Sequence, residues 1–144
     1  MIEAKPTEAG VRAWAQFIRV EQALLAKVES DLKAAGLPSL VWYDVLLELV
    51  RDPEGRLRHR DLHRRMLLAK YNLSRLLDRM AASGLIGREP VDDDARGEYV
   101  CVTTLGRETQ RCMWPIYRRA IIKHFSGRLN VDDVDDLLRI LAKL

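Results

Sequence analysis

From Arg51 to Arg79, nine Lys and Arg side chains stand against four Asp and Glu, whereas the whole 144-residue chain has a formal charge of only +3. Cationic groups gathered into one short stretch of a nearly balanced chain are the footprint that binding to a phosphate backbone requires. Within that stretch Leu73, Leu76, Leu77 and Met80 fall at i, i+3, i+4 and i+7, which predicts an amphipathic helix over 70–83 with one buried stripe. Its other face carries Lys70, Asn72, Ser74, Arg75 and Arg79, with Tyr71 at the leading end. Amide, hydroxyl and guanidinium groups near a helix N-terminus are the side chains that hydrogen-bond base edges in the DNA major groove.

Other chemistry is poorly provided for. The sequence has no nucleophile–base pairing, no glycine-rich phosphate loop and no carboxylate pair in a setting that would shift its pKa, so neither an enzyme nor a cofactor is expected. The run Asp92-Asp93-Asp94 has the composition of a turn. Cys101 and Cys112 are too few for a disulfide framework or a zinc-ligand pattern and are expected to be structural thiols. His59 and His63 share one helix face with Asp61 between them, but no further ligands cluster there, and no metal site is expected. Trp14, Trp42 and Tyr43 have two readings, as core residues or as the lining of a pocket for an aromatic effector.

These groups need a scaffold, and the rest of the chain supplies one. The expected fold is mainly α with a small β-hairpin wing. Residues 1–144 would form a single domain, with a winged helix-turn-helix over 39–104 and an α-helical dimerisation region from 7–36 and 105–144. Thr7 is a candidate cap for a long first helix, and Gly36 with Pro38 would end it. Along it Val11, Trp14, Ile18, Leu25, Val28 and Leu32 lie on one side, more apolar surface than so small a domain can cover. Ser39 opens a second helix with apolar residues on several sides, hence central and buried. Arg56–Arg58 is too short to be a strand alone but can add an edge to the wing. His59–Leu67 would form the first helix of the reading pair, with Leu62, Met66 and Leu67 inward. After the second, Gly84 offers a left-handed stop. Leu85–Glu89 and Glu98–Thr104 then alternate as two strands, Val100 and Val102 inward, joined by the polar loop PVDDDARG. Thr104 would cap a long helix to about Phe125 that must tolerate Pro115. Asn130 would cap the last helix, whose Val131, Val134, Leu137, Leu138, Leu141 and Leu144 make an apolar face suited to an oligomer interface. With 48% hydrophobic and 31% charged residues, no membrane-length apolar run and no secretory core in MIEAKPTEAG, the chain is expected to be cytoplasmic and to have no membrane partner.

The run LSRLLDRMAASGLIGRE followed by DDDARGEYVCVTTLG, with the tail HFSGRLNVDDVDDLLRILAKL, resembles the MarR family of bacterial transcription regulators over nearly the whole chain. That resemblance implies a homodimer interlocked through its first and last helices, with two winged helices reading the halves of a palindromic operator in double-stranded DNA. It places Tyr71, Asn72, Ser74 and Arg75 where the family meets bases and phosphates. It also places Arg96 where the wing enters the minor groove, and Asp94 where an acid orients the wing. The expected function is a ligand-responsive repressor, its effector a small aromatic or lipophilic molecule.

Four positions depart from the family pattern. Ala95 stands where many relatives carry a second wing arginine. Arg60 replaces the small hydroxyl residue that usually caps the first reading helix, giving up about 1 kcal/mol of cap for a charge that can join the DNA contacts. His63 occupies a place usually held by a small residue, and Ala69 replaces a hydroxyl. Two alternatives accompany the main expectation: an architectural DNA-binding factor without a small-molecule effector, and a winged-helix module for protein–protein contact.

Overall fold

The computed structural model describes residues 3–68, 72–91 and 94–144, and at 94–96 the backbone alone. The elements run α1 (Glu8–Ala34), α2 (Leu40–Arg51), β1 (Arg56–Arg58), α3 (His59–Arg65), α4 (Leu73–Ala82), β2 (Ile86–Val91), β3 (Asp94–Val102), α5 (Thr104–His124) and α6 (Val131–Leu141), with a 3-10 turn at Ser126–Arg128.

Local chemistry accounts for most of the boundaries. Thr7 Oγ1 accepts the Gly10 N–H at 2.9 Å and opens α1. At its far end Gly36 takes φ 71° and the Leu37 N–H returns to the Leu32 carbonyl at 3.0 Å. The same device ends α4, where Gly84 has φ 77° and the Leu85 N–H reaches the Met80 carbonyl at 3.1 Å. Asn130 and Asp133 form a reciprocal capping box at the start of α6. Pro115 lies inside α5, but it and Arg111 are exposed, so water can take the hydrogen bond that proline cannot donate.

Two apolar clusters share α2 between them. Val45, Leu46 and Leu49 join Leu62, Leu76, Leu77, Met80, Ile86 and Val100 in a core beneath the sheet and the two short helices. Leu40 and Tyr43 join Val28, Leu32, Met113 and Ala120 in a second core between α1 and α5. A helix buried on both sides requires the near-continuous apolar run Leu40–Val50. The three strands pair antiparallel in the order β1-β3-β2, with Leu57 opposite Val100. Arg56–Arg58 is thus the third strand of the wing, as its position suggested.

Several boundaries differ from expectation. The cap of α5 is Thr103, whose Oγ1 accepts the Gly106 N–H at 3.0 Å, and Thr104 is the first helical residue. α3 stops at Arg65, because Met66 is extended at ψ 140°. Leu67, expected inward, is 79% exposed. Among the described residues α4 starts at Leu73, and Asn72 sits before it in the left-handed region at φ 53°, ψ 45°. The segment PVDDDARG is mostly strand: Pro90 faces Glu98 and Val91 faces Asp94, with a shift of register between Pro90 and Val91. Proline is tolerated there because β2 is an edge strand.

Both ends of the chain leave apolar surface uncovered. In α1 the outward residues include Val11, Trp14, Phe17 and Val20, and no residue of α6 is buried. Among the described residues no helix is long and apolar enough to cross a membrane.

Candidate nucleic-acid interface

Helix α4 buries Leu73, Leu76, Leu77 and Met80, the stripe its spacing prescribes, and this fixes which side chains point away. Asn72, Ser74, Arg75, Asp78 and Arg79 are exposed, as is Arg60 on α3. Among the described residues no ion pair engages Arg60, Arg75 or Arg79, so Arg75 does not take the pairing with Asp78 or Asp61 that its neighbours would allow. Asp78 turns instead to Arg88 of β2, at 2.7 Å. Arg88 also reaches Glu98 on β3 at 3.3 Å, and this chain of charges ties α4 to both strands of the hairpin. On α3, His59 Nε2 lies 3.5 Å from Ser74 Oγ, at the limit of a hydrogen bond.

The structure brings Arg60, Asn72, Ser74, Arg75 and Arg79 onto the helix pair. Lys70 and Tyr71 lie outside the described residues, as do the side chains of Asp94, Ala95 and Arg96. Two positioning groups escaped the sequence reading. Arg88 is one. The other is Asp44, 6% exposed, whose Oδ2 accepts the backbone N–H groups of Leu67 and Leu68, both at 2.8 Å. Its signal was a single charged residue in the otherwise uncharged run Leu40–Leu47. Arg88 left no such mark.

The aromatic residues named as a candidate pocket do not converge within the chain. Trp42 packs on the core beneath the sheet, Tyr43 belongs to the core between α1 and α5, and Trp14 stands 68% exposed on α1. Tyr43 instead meets Trp114 and Tyr117, with ring centroids 6.4 and 5.0 Å away. A separate groove of about 350 Å³ lies where α1, α2 and α4 approach one another, lined by Leu25, Leu40, Val41, Leu68, Leu76, Glu29 and Arg79.

Cys112 is exposed, whereas Cys101 is half-buried on β3, where burial and then Glu89 push its thiol pKa up. A thiol held protonated is a poor nucleophile. Among the described residues no group of three potential metal ligands forms.

The family model described as MarR family matches residues 35–97, from the end of α1 through most of the wing. The crystal structure of AbsC, a MarR family transcriptional regulator from Streptomyces coelicolor, superposes on the chain with a TM-score of 0.85, at 29% identity over 96% of this chain and 93% of that one. Over the helix-turn-helix and most of the wing, the chain thus carries the sequence pattern of the MarR family. Sco3205, a MarR family transcriptional regulator from the same organism whose structure holds DNA, has a TM-score of 0.86 at 23% identity, over 99% of this chain and 91% of that one. The uncharacterized HTH-type transcriptional regulator YkoM of Bacillus subtilis is 26% identical over 136 residues, 94% of this chain and 86% of that protein. The fold is the mainly α winged helix the sequence implied, and it is the fold of these regulators.

Proposed function

We propose that the protein is a cytoplasmic homodimeric repressor that reads a palindromic operator and releases it when a small amphipathic molecule binds. The observation that carries this reading is the exposed polar face of α4, with Asn72, Ser74 and Arg75 at its N-terminal end and, among the described residues, no ion pair on Arg75, opposite a fully buried leucine stripe. Arg75 can form a bidentate contact to a guanine or clamp a phosphate, and Arg60 adds charge to the same side. Lys70, Tyr71 and Arg96 complete the contact set, Arg96 reaching the minor groove from the wing.

Pairing follows from the uncovered apolar faces at the two chain ends. Trp14, Phe17 and Val20 on α1 and Val131, Leu138 and Leu141 on α6 exceed the scattered exposure of a monomer surface. A two-fold assembly through them would present two α4 helices to successive major grooves about 34 Å apart. The groove between α1, α2 and α4 suits the effector: its walls are mostly leucine and valine, the Glu29 carboxylate there already accepts the Leu40 N–H at 2.7 Å, Arg79 offers a charge for an acid, and its volume of about 350 Å³ fits a small aromatic acid. A ligand there would sit between the dimer helices and the reading helix, and it would release DNA only if it bound the two arrangements unequally.

Fluorescence anisotropy with duplex DNA, titrated across salt, tests the whole reading. Specific binding should weaken steeply with salt, and Arg75→Ala should lose about 1–3 kcal/mol at the operator. Light scattering should give twice the subunit mass, and Leu138→Glu should lower both mass and affinity. Equal binding by wild type and Arg75→Ala would refute the DNA-contact assignment. Operator affinity unchanged across a panel of aromatic acids would favour the factor without an effector.

A further inference from the structure

Asp44 is the one buried charged residue among the described side chains, and a carboxylate persists in such a place only when its oxygens are engaged. Its partners are two consecutive backbone amides, Leu67 and Leu68, in the turn that leads from α3 toward α4. Among the described residues, the last amide of α3 to bond within its own helix is Met66, to Leu62 at 3.1 Å, and the first of α4 is Leu76, to Asn72 at 3.0 Å. Side-chain burial holds the turn incompletely, since Leu67 faces solvent. The carboxylate of α2 therefore supplies the polar anchor for the entry to the reading helix.

We infer that Asp44 is a positioning residue for DNA recognition, resting on the reading above in which α4 meets the bases. It fixes where the chain enters α4 relative to α2, and thereby the angle at which Asn72, Ser74 and Arg75 approach a duplex. Hydrogen bonds to a charged group are about twice as strong as neutral ones, and two from one oxygen fix both direction and distance. Leu68 also lines the groove together with Leu40 and Val41 of α2, so a groove ligand would touch the anchored turn.

The test uses full-length Asp44→Ala, Asp44→Asn and Asp44→Glu, each checked for wild-type circular dichroism at the assay temperature. The operator is a duplex selected by the wild-type protein from a randomised pool, and a scrambled duplex of equal length measures binding by phosphate contact alone. Asparagine keeps an oxygen at the same reach, so Asp44→Asn should retain most of the operator-to-scrambled affinity ratio. Asp44→Ala should lower that ratio about tenfold or more, with scrambled-duplex affinity and its salt slope nearly unchanged. A residue that only supports the fold would lower the melting temperature and leave the ratio intact. Should Asp44→Ala not fold, Asp44→Glu carries the test, because its extra methylene displaces the turn while keeping the charge, and it should lower the ratio by several-fold. A wild-type ratio in the folded alanine or glutamate variant would overturn the inference. A wild-type protein that does not distinguish the two duplexes would overturn the underlying reading of α4 instead.

Discussion

Gly106 sets two physical rules against each other. It lies in the first turn of α5, where alanine would be favoured over glycine by about 1 kcal/mol on helix propensity alone. A Cβ at that position, however, would run into the Leu85 carbonyl oxygen and stand 2.9 Å from Val102 Cγ2. The Leu85 carbonyl is backbone, already accepts the Thr103 N–H at 3.1 Å, and cannot swing aside as a side chain would. Overpacking against such a wall costs about 1–3 kcal/mol and offsets the propensity gain. Because the wall is backbone the cost lies at the upper end, so Gly106→Ala should lose about 2 kcal/mol net, a fall in Tm of about 6–7 °C for a chain of this size. Gly87→Ala is the companion. Gly87 lies on β2 with nothing within 4 Å of its Cβ position and no positive φ, so alanine there should gain about 0.4–1 kcal/mol by restricting the unfolded chain. Thermal unfolding followed by circular dichroism, at several protein concentrations because assembly raises Tm, checks both. A Gly106→Ala protein as stable as wild type, or more so, would refute the packing account of the junction between α4, β3 and α5.

Two further expectations concern titratable groups. A thiol reagent at neutral pH should modify exposed Cys112 first, and Cys101 should react appreciably only as pH rises, since burial and Glu89 hold its pKa above the ordinary 9.0; equal rates would overturn that assignment. Burial, then Tyr43 and Asp44, likewise raise Tyr117 above its ordinary 10.0. The folded chain thus holds that proton more tightly than the unfolded one, so this contribution is present below about pH 10 and is lost as pH climbs through the raised value. Tyr117→Phe should flatten the alkaline fall in stability, measured by denaturant unfolding between pH 8 and 11, and an unchanged slope would show that the tyrosine plays no part.

Periodicity made the reading helix legible because a buried stripe is a local property: Leu73, Leu76, Leu77 and Met80 are one face of a helix wherever the chain folds. The uncovered faces of α1 and α6 were also legible, since the sequence holds more apolar spacing than one small domain can bury. Failures occurred where a distant partner decides the outcome. The wing was read as a long polar loop from its Pro, Asp and Gly content, but ladder pairing such as Pro90 with Glu98 continues the strands through it. The exposure of Leu67 goes with a turn whose amides are held by Asp44, which hydrophobic spacing does not record. Of the two readings of Trp42 and Tyr43, the core one fits: they are consecutive in a helix, about 100° apart, and so face different cores.

The Thr103 hydroxyl donates to the Gly84 carbonyl at 2.7 Å while accepting the Gly106 N–H, so one side chain pins the end of α4 to the start of α5. At the other end, among the described residues, no hydrogen bond of that kind is present; Leu73 is buried there, and Asp44 holds Leu67 and Leu68 before it. Mechanically, the proposed reading helix is a lever with its fulcrum at Gly84 and its far end at Asn72. A ten-residue helix is about 15 Å long, so a tilt of about 10° at the fulcrum moves that tip by about 2.6 Å. That is a hydrogen bond's length, applied where Asn72, Ser74 and Arg75 sit, and nearly nothing where α4 joins the wing. In the proposed function, small angular changes are thus converted into gain or loss of base contact, while the hairpin keeps its place.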